Sequence, residues 1–381
     1  MALVRALWGC LALTFPVAAA AQDAPRLPVF RPDVTFGFVF DDNVFMRPDP
    51  EGDMFIRLTP GFDVVHNSPR LRVDGSFRFD AERYQERVDL NEAVARQASL
   101  LDLTWRPNRR IGLISRVGYQ RTQTPQDLNV TTGLTGGRQQ ASRLDLSLAL
   151  ENMIRPHRLV LIGGDYEHDD LLRGVDSSLR AVRVRYTEEL GPRSQLYFNY
   201  RLEQREFTPA IELTPGFVLV SHVGVGGWSY RLTPDLVLVL EGGPRVAEGE
   251  WTPDVSISAT KTIGSITTFS AGYAHTQDVA VGVVGLIDVH RVTTSVAMRR
   301  NELWELILNA GVFRNAQPDV DSIAYDFSVA VGRSLSKALW LVVSANRTFN
   351  DLRMNAGEVP QMEIVRNWVM ASIRIQPVRP R

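Results

Sequence analysis

The stretch Arg70-Leu71-Arg72-Val73-Asp74-Gly75-Ser76-Phe77-Arg78-Phe79-Asp80-Ala81-Glu82 decides the fold class. In an extended chain Leu71, Val73, Phe77 and Phe79 fall on one side, and Arg70, Arg72, Asp74, Arg78, Asp80 and Glu82 on the other. A period of two marks a β-strand with one apolar and one polar face. The alternation returns in Arg143-Leu144-Asp145-Leu146-Ser147-Leu148-Ala149-Leu150, in Arg183-Val184-Arg185-Tyr186 and in Leu196-Tyr197-Phe198-Asn199-Tyr200-Arg201-Leu202. Many of these runs stay extended for about 10 residues or more, the length of a transmembrane strand, whereas soluble strands average about five or six.

The breaks between the runs come in two kinds. Short turn signals fall at Asn67–Pro69, Arg106–Arg109, Arg155–His157, Gly191–Arg193, Thr233–Asp235, Ile263–Ser265, Arg300–Glu302 and Ser336–Ala338. Between them lie longer polar or Gly/Pro-bearing stretches near Asp41–Asp53, Gln85–Glu92, Thr124–Arg138, Asp169–Gly174, Phe207–Leu213, Ala247–Pro253, Asp278–Gly285, Asn315–Asp319 and Asp351–Pro360. The rhythm predicts an all-β chain: a transmembrane antiparallel up-and-down β-barrel of about 18 strands, or 16 at the next lower even number. Its short turns would be periplasmic and its longer loops extracellular. A soluble periplasmic or secreted β-protein with its apolar faces turned inward would share the period of two, but not the strand length or the asymmetry of the turns.

Composition agrees with this reading. The chain has 381 residues, a formal net charge of −1 and one cysteine, Cys10. Near neutrality argues against a nucleic-acid partner, which calls for a basic surface. Mean hydropathy is −0.09, as expected where lipid-facing and lumen-facing residues alternate and cancel. Arg5, the apolar run Ala6–Val17 and the small residues Ala18–Ala21 read as a secretory signal peptide over 1–21. Gly9-Cys10 has the look of a lipoprotein acceptor, but too little apolar sequence precedes it. The expected layout continues with an N-terminal periplasmic segment over 22–33, the barrel over 34–376 and a tail over 377–381. Two aromatic girdles are expected at the membrane interfaces: Trp105, Tyr230, Trp304 and Trp340 beside short turns, and Tyr119, Tyr166, Trp251 and Tyr273 toward long loops.

The first hairpin carries a resemblance. Phe38-Val39-Phe40-Asp41-Asp42-Asn43-Val44-Phe45, followed by Asp53-Met54-Phe55, Leu58-Thr59-Pro60-Gly61 and Glu82-Arg83-Tyr84, resembles the opening of the outer-membrane β-barrel porins associated with exopolysaccharide loci. The likeness covers roughly the first sixty mature residues; beyond them only the rhythm of strand and turn is similar. It implies an outer-membrane location in a Gram-negative bacterium and a role in polysaccharide export or diffusion.

Candidate chemistry is sparse. Asp41, Asp42 and Asn43 form the turn of the resemblance, and with Asp49, Glu51 and Asp53 they make an acidic cluster. Its spacing fits no calcium loop, and a solvated turn whose side chains bond local backbone is the simpler reading. Arg70, Arg72, Asp74, Arg78, Asp80, Arg116, Asp145, Arg183, Arg185, Arg201 and Glu203 are candidates to line a pore, since barrels of this size leave a watery channel tuned by charged side chains. The same residues could instead pair across strands and stiffen the wall. No metal site is expected: the six histidines are scattered, with no two at ligand spacing on one strand. Asp165, Glu167, His168, Asp169 and Asp170 read as a solvated loop. No Gly-x-Ser-x-Gly elbow or phosphate-binding glycine loop leading into a helix occurs, so neither an enzyme nor a cofactor is expected. The anticipated partners are outer-membrane lipid and lipopolysaccharide, with polysaccharide or its export machinery beyond them. The anticipated function is a water-filled pore for polar solutes or polysaccharide, the alternative being a structural or anchoring barrel that transports nothing.

Overall fold

The computed structural model describes residues 28–376 except 173, 210–215, 265, 301–302, 318–319 and 355–361. The expected signal peptide, most of the N-terminal segment and the tail lie outside the described residues. The chain forms β1 (Val29–Asp41), β2 (Asp53–Asn67), β3 (Leu71–Tyr84), β4 (Glu92–Trp105), β5 (Ile111–Thr122) and β6 (Ala141–Arg155). It continues with β7 (Arg158–Leu171), β8 (Val175–Gly191), β9 (Ser194–Pro209), β10 (Phe217–Thr233), β11 (Leu236–Ala247) and β12 (Glu250–Ile263). The last strands are β13 (Thr267–Asp278), β14 (Ile287–Arg300), β15 (Trp304–Gln317), β16 (Val320–Ser334), β17 (Leu339–Met354) and β18 (Met362–Ile375).

These form one 18-stranded antiparallel sheet in which each strand pairs with its sequence neighbours, and β1 pairs with β18 to close the barrel. The alternation that suggested strands sets the two faces. Leu146, Leu148 and Leu150 point outward, with Leu148 54% exposed, while Arg143, Asp145 and Ser147 point inward, Arg143 bonding Asp169 of β7 and Ser147 accepting from Arg183 of β8. Phe36, Phe38 and Phe40 of β1 and Val369, Ile373 and Ile375 of β18 continue the apolar exterior across the seam. Apolar surface this continuous is stable only against lipid. The chain is an outer-membrane β-barrel.

Strands of 12 to 17 residues exceed the roughly 9–11 needed to span the bilayer, and the surplus stands at the long-loop end. The packed clusters of buried apolar side chains also lie there, built from strand tips and the loops tucked between them: Val39, Val44, Phe55 and Tyr84; Leu128, Ala141, Leu171 and Val281; Leu134, Ala280, Ile287 and Val289; Phe207, Leu219, Ala247 and Val279.

Local readings differ from the sequence analysis in several places, among them Asn315–Asp319, expected as a longer loop but strand as far as Gln317, which pairs with Val320. β1 begins at Val29, inside the stretch assigned to a periplasmic segment. Its first residues pair with β2 alone, so Pro32, which has no N–H, sits where one strand edge has no neighbour. Ala247–Pro253, expected as a long loop, is a two-residue hairpin turn at Glu248-Gly249, with φ of 51° and 85°. Both values match the left-handed positions of a type I′ turn. Pro253, the end of the expected loop, lies within β12 and faces Pro244 of β11. Asp169–Leu171, the first half of the expected loop Asp169–Gly174, is strand, and Asp169 belongs to the inner face, paired there with Arg143. Trp340 points inward, opposite Ser334 and Arg374, since Leu341 and Val343 take the outer positions. The outer girdle at the short-turn end includes Trp105 and Trp304 and a stacked Trp228–Tyr230 pair. Trp251 and Tyr273 are exposed at the opposite end.

Candidate functional site: the barrel interior and its mouth

The inner wall has two chemically distinct halves. From β2 to β9 it is ionic. Arg57 bonds Glu82 at 2.8 Å and lies beside Asp80; Arg78 bonds Asp63 at 2.8 Å and Asp33 at 3.3 Å; Arg116 bonds Asp102 at 2.8 Å. Arg143 holds Asp169 through two bonds, and Arg183 reaches Ser147 and Asp165. Arg201 lies 3.0 Å from Glu203, whose other oxygen takes Arg245 and Ser221. Arg185 lies over the ring of Tyr197 at 4.0 Å. Of the proposed pore-lining residues, Arg72, Asp74, Arg78, Asp80, Arg116, Asp145, Arg183, Arg185, Arg201 and Glu203 all stand on this inner face. Arg70 does not: it precedes β3 in the turn, where its carbonyl accepts the Arg106 amide. A recess of about 1060 Å³ opens against the wall, bordered by Arg78, Arg116, Asp145, Arg183, Arg185 and Arg201. Arginines and carboxylates alternate along neighbouring strands there, so most of the charge is spent on mutual pairing across the wall.

From β12 to β17 the middle of the inner face is mostly uncharged, although Asp254 stands on it paired with Arg245, and Arg291 and Glu305 take inner positions nearer the strand ends. Ser256, Ser258, Thr260, Ser270, Thr293, Ser295, Asn309, Ser328, Ser344, Asn346 and Thr348 follow one another around it, with Asp326 as an acid. Thr260 meets Ser270, Asn309 bonds Ser328 and Asn346 bonds Asp326.

The segment 123–140 between β5 and β6 folds into the mouth and tours the wall. A short 3-10 turn, Pro125–Asp127, starts it, with Thr122 bonding Asp127 and Arg96 beside the same carboxylate. Asn129 then accepts the Val281 amide from the β13–β14 loop at 2.7 Å and closes its own turn on the Leu134 carbonyl. Asn315 of β15 donates to the Thr132 carbonyl at 2.9 Å, and Asn350 of β17 to the Thr135 hydroxyl at 2.6 Å. The Arg138 amide bonds the Phe45 carbonyl between β1 and β2, while its guanidinium bonds Tyr84 of β3. Gly133, at φ 63°, lies so close to Phe313 that a Cβ there would sit 2.6 Å from the ring. We call this segment the belt. Beneath it lies a cavity of about 540 Å³ lined by Gln126, Asn129, Ser270, Asn309, Asn346 and Trp368 among others. The lining also holds the charged Arg96, Asp127, Asp326 and Arg366 and the apolar Val130, Ala310 and Phe313; its hydroxyls and amides beside the Trp368 ring suit solutes that give and take neutral hydrogen bonds.

Asp41, Asp42 and Asn43 are neither a solvated turn nor part of the lumen lining. Asp41 is 1% exposed and receives Arg366 of β18 through Nη2 at 2.5 Å and Nε at 3.0 Å. Asp42 accepts the Asn367 amide and side chain, each at 2.6 Å. Asn43 donates to the Val365 and Arg47 carbonyls and accepts the Arg47 amide. The β1–β18 ladder stops at Asp41–Trp368, and these three side chains carry the seam onward to Val365. Asp53 is tied separately, to the Glu86 and Arg87 amides.

The acidic run of β7 divides between faces: Asp165, Glu167 and Asp169 turn inward to arginines, while His168 turns outward to Ser178. The sequence reading missed the belt, whose partners lie up to 215 positions away, and one grouping of His275, Asp288 and His290 on adjacent strands. Its signal lies in strand register, which no spacing along one strand reveals.

No protein-family model and no curated protein matches the chain. Among solved structures it is similar to the siderophore receptor PirA from Pseudomonas aeruginosa, with a TM-score of 0.45 and 10% identity over 94% of this chain and 82% of that one. It is also similar to OccAB4 from Acinetobacter baumannii, with a TM-score of 0.45 and 9% identity over 91% of this chain and 98% of that one. The FrpB iron transporter from Neisseria meningitidis matches with a TM-score of 0.41 and 7% identity, covering 91% of this chain and 81% of that one. At such identities and scores the likeness is one of barrel architecture alone.

Proposed function

We propose that this chain is a conduit for polar solutes across the outer membrane, with saccharide chains as its solute class and the belt setting what passes. The carrying observation is the division of the lumen. An ionic wall satisfied largely by its own partners faces a mostly uncharged wall of hydroxyls and amides, and the belt draws both into one narrowed mouth. Neutral hydrogen-bonding groups with an aromatic surface, here Trp368, match the hydroxyls and apolar ring faces of sugars. The likeness of the first hairpin to barrels of exopolysaccharide loci points the same way. In this reading the exterior contacts lipid and lipopolysaccharide, and the periplasmic end receives the solute from export machinery. The chemistry is passage, not catalysis.

The test is planar-bilayer recording of the purified barrel, with neutral dextran oligosaccharides added to one side. Discrete openings whose current falls with added oligosaccharide, and recovers in Trp368→Ala, support the conduit. Absence of openings both in this chain and in one with its belt shortened to a tight turn overturns it, and leaves the second reading, a structural barrel whose belt seals the mouth for good.

A further inference from the structure

His275 of β13 and His290 of β14 stand directly opposite each other in the antiparallel ladder. Their rings lie parallel, with centroids 4.1 Å apart and planes 3° apart. Asp288, two residues before His290, places Oδ1 2.6 Å from His275 Nε2, and the Tyr273 hydroxyl lies 3.0 Å from His290 Nδ1. One ligand atom from each of His275, Asp288 and His290 fits within a span of 4.8 Å.

All three face outward. Tyr273 and Val292, next on the same faces toward the membrane, are exposed, and Arg314 beside His290 makes a largely exposed pair with Asp321. The cluster therefore stands at the extracellular rim, away from the lumen and from the belt.

We infer that His275, Asp288 and His290 form a binding site for a divalent transition-metal ion of the zinc, copper or nickel class. Two imidazoles and one carboxylate are a donor set such ions take, with bonds of about 2.0–2.2 Å and one position left for water or an outside ligand. Tetrahedral ligands at those lengths sit about 3.3 Å apart, so ligand atoms that now span 4.8 Å close by about 1.5 Å at most. The two imidazoles turn out of their parallel stack, because a metal lies near the plane of each ring it binds; partly exposed rotamers allow both. The Tyr273 contact occupies His290 Nδ1 and leaves Nε2 free for the metal, as an outer hydrogen bond does for a ligating histidine. Stacked imidazoles beside a carboxylate also hold one another loosely without an ion, so the rim needs none to fold.

The experiment is zinc titration by calorimetry of the folded, full-length barrel in detergent, paired with electron paramagnetic resonance of the copper-loaded protein. One equivalent of zinc, a two-nitrogen copper spectrum, and affinity lowered by at least about 100-fold in His275→Ala and in His290→Ala are expected, with Tyr273→Phe weaker by about tenfold. Heat-modifiable migration checks that each variant folds. Failure to bind zinc, or affinity unchanged in both histidine variants, overturns the site. Should a variant not fold, the copper spectrum of the unaltered protein decides alone: fewer than two nitrogen ligands removes the proposal.

Discussion

Arg366 of the last strand grips Asp41 of the first through two guanidinium nitrogens, at the point where the closing ladder between those strands runs out. Both side chains are buried. Breaking such a pair from one side strands a charge without a partner, at a cost of about 3–5 kcal/mol, whereas replacing both with apolar groups of similar volume can be neutral. Asp41→Ala is therefore expected to lower the stability of the refolded barrel by that amount in urea titrations with lipid vesicles. Asp41→Leu combined with Arg366→Met should recover most of it. A loss in the double variant equal to that of Asp41→Ala would mean that the seam depends on the ion pair as such.

The belt is held to the far wall by two amide side chains, Asn315 and Asn350. Each bond contributes about 0.5–1.5 kcal/mol, too little to unfold the barrel if lost. Asn315→Ala with Asn350→Ala should leave heat-modifiable migration intact while raising single-channel conductance or the frequency of openings. Unchanged recordings would show that the belt does not restrict the mouth.

The assignment of faces can be tested on one strand. Leu148→Arg puts a charge among lipid tails, and near mid-membrane this costs about 2–4 kcal/mol. Ser147→Arg, one residue away, points into the ionic half of the lumen beside Arg183 and Asp165 and should cost much less. Comparable losses at both positions would contradict the outward placement of Leu148.

Replacing Arg116 and Arg183 by Gln removes two cations from the ionic wall and leaves Asp102 and Asp165 without their partners. The interior then carries excess negative charge, and reversal potentials in a salt gradient should shift toward cation selectivity. A shift in the other direction would place the solute path elsewhere.

At the β11–β12 turn, Gly249 holds φ 85° and Glu248 holds φ 51°. Gly249→Ala should destabilise the hairpin by about 1 kcal/mol, because a Cβ is disfavoured at positive φ, and Glu248→Asn should stabilise it slightly. Equilibrium unfolding of the two variants gives both signs.

The barrel was legible because lipid and water impose a period of two that survives in residues such as Leu144 to Leu150. The strand number followed from turn chemistry, and it held even where single loops were misjudged. The misjudgments share a cause. Pro253 reads as a breaker, though a proline fits a strand where its missing donor is not needed, and Asp169 reads as loop until Arg143 is known to lie across from it. The Asp41-Asp42-Asn43 triplet looked like a local turn because its partners, Val365 to Asn367, are at the other end of the chain. The belt was invisible for the same reason. Asn129, Thr132, Thr135 and Arg138 look like ordinary loop residues, and only the closed sheet brings Val281, Asn315, Asn350 and Tyr84 to them.

That dependence ties the belt to closure of the sheet. A segment that leaves β5 and rests on β15, β17 and the β1–β2 connection has no surface to settle on while the sheet is an open ribbon, since those strands are then far from β5. Its resting places exist only where strand pairing and the meeting of β1 with β18 have brought those strands round. The seated belt is thus a mark of closure: a protease site within it would report whether the sheet has come round.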